Sequence, residues 1–321
     1  MVETVIAADI GGTNLRAAVV DAAGHIVVRR QAPTPKDATS DEIIEQIVAL
    51  LRSVALDAGE HARAACLAVP GLINGDAGKV VISPNVPGFR NLVLTTPVTE
   101  ALGLPAFIEN DANAAALGEF RFGAGRGTRN LVHATLGTGI GGGLVIEGKL
   151  YRGSKGLAGE IGHMVMDPAG PVCNCGSRGC LEALVSGVAF AERARRLLSQ
   201  ERAPILKEVV GDRAPTAADL TAAAQRGCQF SAAEIQHGGH VLGLAFGGLT
   251  NVLNPDAITL SGGLLAMGEM LLEPMRKAMY SIAYGPASGT LVRTSTLGDD
   301  AGLLGAAAVA FERLAQSELQ E

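Results

Sequence analysis

His163, Cys173, Cys175 and Cys180 form the densest group of soft metal ligands in the chain, with three of its five cysteines in the run CNCGSRGCLE at 173–182. One imidazole and three thiolates are a donor set that encloses a structural zinc ion. The spacing departs from the two separated CxxC pairs of a zinc ribbon. The competing reading is three buried free thiols beside a histidine satisfied by a backbone carbonyl. Glu160 and Glu182 bracket the group, so a metal pinning this loop could hold two carboxylates toward a polar ligand. An odd cysteine count and the expectation of a reducing compartment argue against disulfides. Cys66 and Cys228 stand alone in apolar or turn-like surroundings and read as packing residues.

A second chemistry lies in carboxylates beside glycine turns. Asp9 precedes Gly11-Gly12-Thr13, where two residues without side chains let a ligand approach the backbone closely. Their amides and the Thr13 hydroxyl could meet a phosphate while Asp9 orients magnesium or a metal-bound water; an ordinary tight hairpin is the alternative. The device recurs at Gly137-Thr138-Gly139, and two such turns could hold different portions of one polyphosphate. Ser261-Gly262-Gly263 follows another apolar run. It reads either as a third loop, able to approach a nucleotide sugar or base, or as a plain strand-to-helix turn. In Glu109-Asn110-Asp111-Ala112-Asn113, Asn110 could orient a hydroxyl while Asp111 accepts its proton as a bond to phosphorus forms. Asp111 is equally suited to capping the helix that follows.

These groups need elements to place them. Val5–Ile10 and Leu15–Val20 are apolar runs that predict a hairpin, with a third strand at Ile26–Arg30; a Rossmann fold would pass from its glycine loop straight into a helix. Thr39 and Glu42 predict a capping box, opening a helix with Ile43, Ile47, Leu50 and Val54 on one face. Strands at Ala64–Val69, which ends in Pro70-Gly71, and at Leu104–Ile108, with a helix over 112–120, put Asp111 at a strand-to-helix junction. The loop Asn85-Val86-Pro87-Gly88 could offer an amide to a ligand.

Gly123–Gly127 marks entry to a second lobe, with strands at Asn130–Leu136 and Gly142–Ile146 around the second glycine-threonine turn. A helix is predicted over Ala183–Leu198, with Arg195-Arg196 on its solvated face. Capping boxes are predicted at Thr216–Asp219 and Ser231–Glu234, then a glycine-bearing helix at Val241–Leu253 and a strand at Ala257–Leu260. The segment from Asp299-Asp300 through Phe311 predicts a closing helix that returns to the first lobe. The expected domains are therefore 1–120 plus 303–321, and 121–302.

With 321 residues, 48% of them hydrophobic, the chain has material for two folded domains. Aromatics are only 3%, so aliphatic side chains and alanine must fill the core. A formal charge of −6 with scattered basic residues supplies no positive stripe for nucleic acid. Ile235–Pro255 lacks charged residues other than histidine, but its glycines and amides favour a buried helix and turn over a membrane span. The start MVETVIAADIGG reads as a first strand and not as a leader; a cytoplasmic protein without membrane or nucleic-acid partners is expected.

The ordered set DIGGTNLR at 9–16, ENDANAAALGE at 109–119, LGTGIGGG at 136–143, GEIGH at 159–163, CNCGSRGCLE at 173–182 and SGG at 261–263 closely resembles the ROK family of repressors, open reading frames and kinases. Within it the bacterial glucokinases are most similar. The resemblance implies an α/β two-lobed actin-like ATPase (ribonuclease H-like) fold with a cleft between the lobes, and a homodimer or dimer-based tetramer.

The family pattern implies ATP with Mg2+ at Asp9, Gly11, Gly12, Thr13, Gly137, Thr138, Gly139, Gly262 and Gly263. It implies sugar contacts from Gly71, Asn85, Asn110, Asp111, Glu160, His163 and Glu182, with Asp111 as base. One structural Zn2+ per chain would sit on His163, Cys173, Cys175 and Cys180, with the other ring nitrogen of His163 toward a sugar hydroxyl. Phosphorylation of glucose is the implied reaction. The alternatives are another hexose or N-acetylhexosamine (mannose, fructose, N-acetylglucosamine, N-acetylmannosamine), polyphosphate as donor, or a non-catalytic sugar sensor. The family repressors' DNA-binding extension has no room before Asp9, which favours the enzyme.

Overall fold

The computed structural model describes residues 2–35, 38–58, 62–83, 86 and 88–319. The chain falls into two units: Met1–Thr128 with Gly143–Gly159 and Ser295–Glu321, and Arg129–Gly142 with Glu160–Thr294.

In the first unit, β1 (Thr4–Ile10), β2 (Asn14–Asp21), β3 (Ile26–Pro33), β4 (Ala62–Val69) and β8 (Ala106–Asn110) make one sheet in the order β3-β2-β1-β4-β8. The hairpin pairings β1/β2 and β2/β3 are antiparallel, while β1/β4 and β4/β8 are parallel. Strand β1 is central, and Val5, Ile6, Ala7, Ala8 and Ile10 are all buried, as a strand covered on both faces requires. Helix α1 (Ser40–Ala58) opens with the expected reciprocal cap, Thr39 N–H to Glu42 Oε2 at 2.7 Å and Glu42 N–H to Thr39 Oγ1 at 3.3 Å. Its core face is Ile43, Ile47, Leu51 and Val54; Leu51 takes the place expected of Leu50, which is only partly buried. A small antiparallel sheet of β5 (Leu72–Asn74), β6 (Lys79–Ile82) and β7 (Arg90–Val93) precedes α2 (Thr95–Leu102).

Helix α3 (Asp111–Phe122) packs against the last helix, α10 (Ala301–Glu318), which also lies on β1, β4 and β8. The backbones meet because both faces carry glycine at the crossing. A Cβ on Gly118 would come 2.6 Å from the Ala301 carbonyl oxygen, and one on Gly305 would overlap the Ala114 carbonyl. A Gly305→Ala substitution is expected to lower stability by roughly 3 kcal/mol, the upper range for overpacking a core, despite alanine's better helix propensity. Thermal unfolding checks this, and an unchanged or raised Tm would contradict it.

The second sheet runs β11-β10-β9-β12-β13, from β9 (Leu131–Leu136), β10 (Ile140–Ile146), β11 (Lys149–Leu150), β12 (Ala257–Ser261) and β13 (Leu291–Thr294). Its β10/β11 pair is antiparallel, and β9/β12 and β12/β13 are parallel. The two sheets thus share one strand order, each built from a glycine-threonine hairpin followed by parallel strands. The strand-turn-strand repeat of the sequence is repeated architecture.

Two local expectations change. The helix expected over Ala183–Leu198 is two, α4 (Leu181–Val185) and α5 (Gly187–Ser199). Ser186, extended between them, caps α5 by accepting the Ala189 N–H at 3.2 Å. After α6 (Pro204–Val210), helix α7 (Ala217–Gln225) has the expected Thr216/Asp219 capping box. Ser231 caps nothing: it is buried inside α8 (Gln229–Leu253), with its hydroxyl 3.3 Å from Cys228 Sγ. Helix α9 (Glu269–Ile282) packs along α8, where glycines allow close approach: a Cβ on Gly243 would overlap the Met275 carbonyl. Among the described residues no helix is long and apolar enough to cross a membrane.

Candidate active site and metal centre

In the first unit, Asp9 is the penultimate residue of β1, just before the turn of Gly11, Gly12 and Thr13 (GGT) that connects it to β2. The turn is pinned: Gly11 N–H donates to Asn14 O (2.9 Å), Thr34 N–H to Thr13 O (2.9 Å) and Thr34 Oγ1 to Gly11 O (2.6 Å). The Asp9 side chain is 23% exposed, and Arg16 Nη1 lies 3.7 Å from it. Burial pushes its carboxyl up to about 6 against the pull of Arg16, with Asp111, Asp299 and Asp300 adding repulsion. Gly302, in the first turn of α10, backs directly onto this carboxylate: a Cβ there would lie 3.3 Å from Asp9 Cγ. Clustered hard oxygens whose mutual repulsion disfavours ionisation suit magnesium, whose charge reverses that penalty.

Asp111 is the first residue of α3, and the role of cap falls to its neighbour. Asn110 Oδ1 accepts the N–H groups of Ala112 (3.0 Å) and Asn113 (3.1 Å). The capping role to which Asp111 is equally suited goes mainly to Asn110, while Asp111 Oδ1 also accepts the Ala112 N–H at 2.9 Å. Asn110 Nδ2 donates to Gly71 O at 3.0 Å, bringing two expected sugar residues together. Gly71 has φ +103°, and a Cβ there would overlap the Ile82 carbonyl. Asn85 lies outside the described residues.

Two residues without an expected role hold this junction. Glu109 is 2% exposed. Its Oε1 accepts Asn110 N–H (3.0 Å) and Asn113 Nδ2 (3.2 Å), and its Oε2 accepts Arg152 Nε (2.6 Å). Arg152 comes from Gly143–Gly159, the segment that belongs to the first unit. No motif flags it; a buried charge in β8 that demands a cation is the signal available in the sequence.

In the second unit the turn of Gly137, Thr138 and Gly139 is buttressed on several sides. Gly187 N–H, at the start of α5, donates to Gly137 O at 2.8 Å. Glu182 Oε2 accepts Ile140 N–H at 2.9 Å and lies where any side chain on Gly139 would stand. A Cβ on Gly162 would overlap the Ile140 carbonyl. Gly262, at φ +96°, packs flat on Leu136, so the turns at 137–139 and 262–263 are neighbours.

Beneath them His133 is fully buried. Its Nδ1 is 2.9 Å from Thr259 Oγ1, and its Nε2 is 3.1 Å from Ser261 Oγ and 3.3 Å from Thr135 Oγ1. Burial pushes its pKa down to about 4. A depressed histidine contributes stability that is present above the unfolded pKa near 6.5 and is lost as pH falls toward 4. His133 is expected to remove about 2–3 kcal/mol between pH 7 and 4.5. His133→Asn should flatten that part of the pH–Tm profile, and an unaltered slope would refute the assignment.

Also in the second unit, the ligand atoms of His163, Cys173, Cys175 and Cys180 all lie within 4.8 Å of one another. Cys173 Sγ is 3.8 Å from His163 Nδ1, and Cys175 Sγ is 3.7 Å from Cys180 Sγ. Four ligands at zinc–ligand bond lengths of about 2.0–2.3 Å span tetrahedron edges of about 3.3–3.8 Å, so the residues fit this ion, with Nδ1 as the histidine donor. The cysteine loop closes on itself through Cys173 N–H to Ser177 O and Gly179 N–H to Pro171 O, both 2.8 Å. Gly176 (φ +91°) and Gly179 (φ +67°) supply its left-handed positions. Burial pushes the Cys173 thiol up to about 11, while the Ser177 backbone hydrogen bond lowers Cys175. All five cysteines are free of disulfides. His163 Nε2 points toward Glu160, with Oε2 3.9 Å away.

A family model described as the ROK family matches residues 5–313. A glucokinase of Thermotoga maritima is 36% identical over 313 residues, which cover 96% of this chain and 98% of that one. The crystal structure of a ROK family glucokinase from Streptomyces griseus, in complex with glucose and AMPPNP, is similar with a TM-score of 0.80 and 34% identity over 96% of this chain and 99% of that one. A ROK hexokinase structure from Thermus thermophilus has a TM-score of 0.84 and 31% identity over 98% and 99% of the two chains. The fold class is accordingly that of the α/β two-lobed actin-like ATPases. Sheets of one repeated order, glycine-threonine turns at both β-hairpins and a match along nearly the whole length agree: the chain belongs to the ROK family.

Proposed function

We propose that this protein is a glucokinase that transfers the γ-phosphoryl group of ATP to the 6-hydroxyl of glucose, with Asp111 as general base. The observation that carries the base assignment is the placement of Asp111 at the first position of α3, beside the cap Asn110 and close enough to Asp9 for the two carboxylates to repel. The choice of glucose rests on likeness to the glucokinases.

The turns at 11–13 and 137–139, with Gly262 and Gly263, bind the nucleotide through backbone amides. Gly71, Asn85, Asn110, Glu160, His163 and Glu182 hold the sugar. Asp111 takes the hydroxyl proton as the bond to phosphorus forms, so that proton transfer need not precede attack. Asp9 would hold Mg2+, which would supply the positive charge that the transferring phosphoryl group requires. His163, Cys173, Cys175 and Cys180 would hold one Zn2+ per chain, ordering the loop that carries Glu160, His163 and Glu182. The same reading has the enzyme act in the cytoplasm as a homodimer or dimer-based tetramer. Exposed Val252, Ile282 and Tyr284 in the second unit offer an apolar surface for self-association.

Initial rates with glucose, mannose, fructose, N-acetylglucosamine and N-acetylmannosamine, each with ATP and with polyphosphate, test the proposal. The highest kcat/KM is expected for glucose with ATP. A larger value for another sugar would reassign the acceptor, and no transfer to any sugar would sink the enzyme reading.

A further inference from the structure

Behind Glu109 the first unit contains a cavity of about 500 Å3, lined among others by Asn74, Asp76, Glu109, Arg152, Lys155 and Arg313. Its charge is unbalanced in a particular way. Glu109 spends both carboxylate oxygens on Asn110, Asn113 and Arg152 Nε, so it has little attraction left for a cation in the cavity. Arg152 meets Glu109 through Nε, and Lys155 and Arg313 stand beside it. Against these cations stands Asp76, 4.0 Å from Arg313 with its side chain 96% exposed, a pair worth little in solvent. Glycines 153 and 156, at φ +69° and +74°, leave the adjoining loop wall without bulk.

We propose that this cavity is a second ligand site, for a phosphorylated sugar whose phosphate sits among Arg152, Lys155 and Arg313. A guanidinium with its remaining N–H groups beside an ammonium and a second guanidinium matches a phosphate dianion. The volume exceeds that of a bare anion, and Asn74 and Ser154 in the same lining can meet hydroxyls. The lining includes none of Asp9, Asn110 and Asp111, yet Arg152 also grips the residue that fixes Asn110, so occupancy of the cavity bears on the start of α3.

The test is a calorimetric titration of the full chain with glucose 6-phosphate while glucose and a non-hydrolysable ATP analogue are held at saturation, which fills the site of the proposed reaction. Separate titrations of glucose and the analogue establish that saturation, so a failure of the glucokinase reading is seen on its own. Saturable binding is expected, weakened about tenfold or more in Lys155→Ala/Arg313→Ala by loss of two charge-assisted contacts, with the basal rate unchanged. If the double variant is misfolded by circular dichroism, Lys155→Ala, at an exposed position, is expected to weaken binding severalfold. Absence of binding, or equal affinity in the folded variant, overturns the proposal.

Discussion

Asp111→Asn is expected to lower kcat by about two to four orders of magnitude, the usual contribution of a positioned base, while KM for glucose changes little. The substitution keeps the side chain's size and some of its hydrogen bonding but removes the proton acceptor. The helix is expected to suffer little, because Asn110 Oδ1 accepts both the Ala112 and Asn113 N–H groups, and the Ala112 N–H that Asp111 Oδ1 also accepts at 2.9 Å can still be met by the amide oxygen of the variant. An unchanged Tm with collapsed turnover would separate chemistry from folding. The positive end of the α3 dipole favours a carboxylate at this position, so the charge loss itself costs stability only a few tenths of a kcal/mol. Near-normal initial rates in Asp111→Asn would refute the base assignment. Asn110→Ala is the contrasting variant: it should lower Tm through a lost cap worth about 1 kcal/mol.

Loss of the metal group is expected to be the second large effect. Cys180→Ala should lose the approximately one zinc per chain expected of a single four-ligand site, lower Tm, and reduce kcat/KM by about a hundredfold or more. The damage should reach the nucleotide as well as the sugar. Cys180 is followed by Leu181 and Glu182, whose Oε2 holds Ile140 N–H, and His163 follows Gly162, which packs on the Ile140 carbonyl. The metal loop therefore grips the start of β10, immediately after the turn at 137–139, from two sides. Glu182→Gln should retain zinc by elemental analysis yet raise KM for ATP severalfold, since a neutral acceptor holds the amide less strongly. A folded, metal-free Cys180→Ala protein with full activity would remove the metal from the account.

Short-range chemistry was legible without coordinates. The hairpin around Asp9, the Thr39/Glu42 and Thr216/Asp219 boxes, each of the two glycine-threonine turns and the ligands around 163–180 lie within a few to twenty residues, where local preferences and spacing decide the outcome. The misread helix at 183–198 and the misplaced cap at Ser231 show the limit of such patterns. Ser186 breaks the first helix where Gly187 must meet Gly137, and at Ser231 burial against Cys228 overrides a favourable capping spacing.

The contacts that position the candidate site were decided only in three dimensions. Arg152 on Glu109, Gly302 behind Asp9, Gly305 on Ala114 and Glu182 under Ile140 join residues far apart in the chain. Residue types alone fix what chemistry is available and which local turns can form. Which distant charge neutralises a buried carboxylate, and which glycine admits a second backbone, depends on packing whose alternatives differ only through the folded whole.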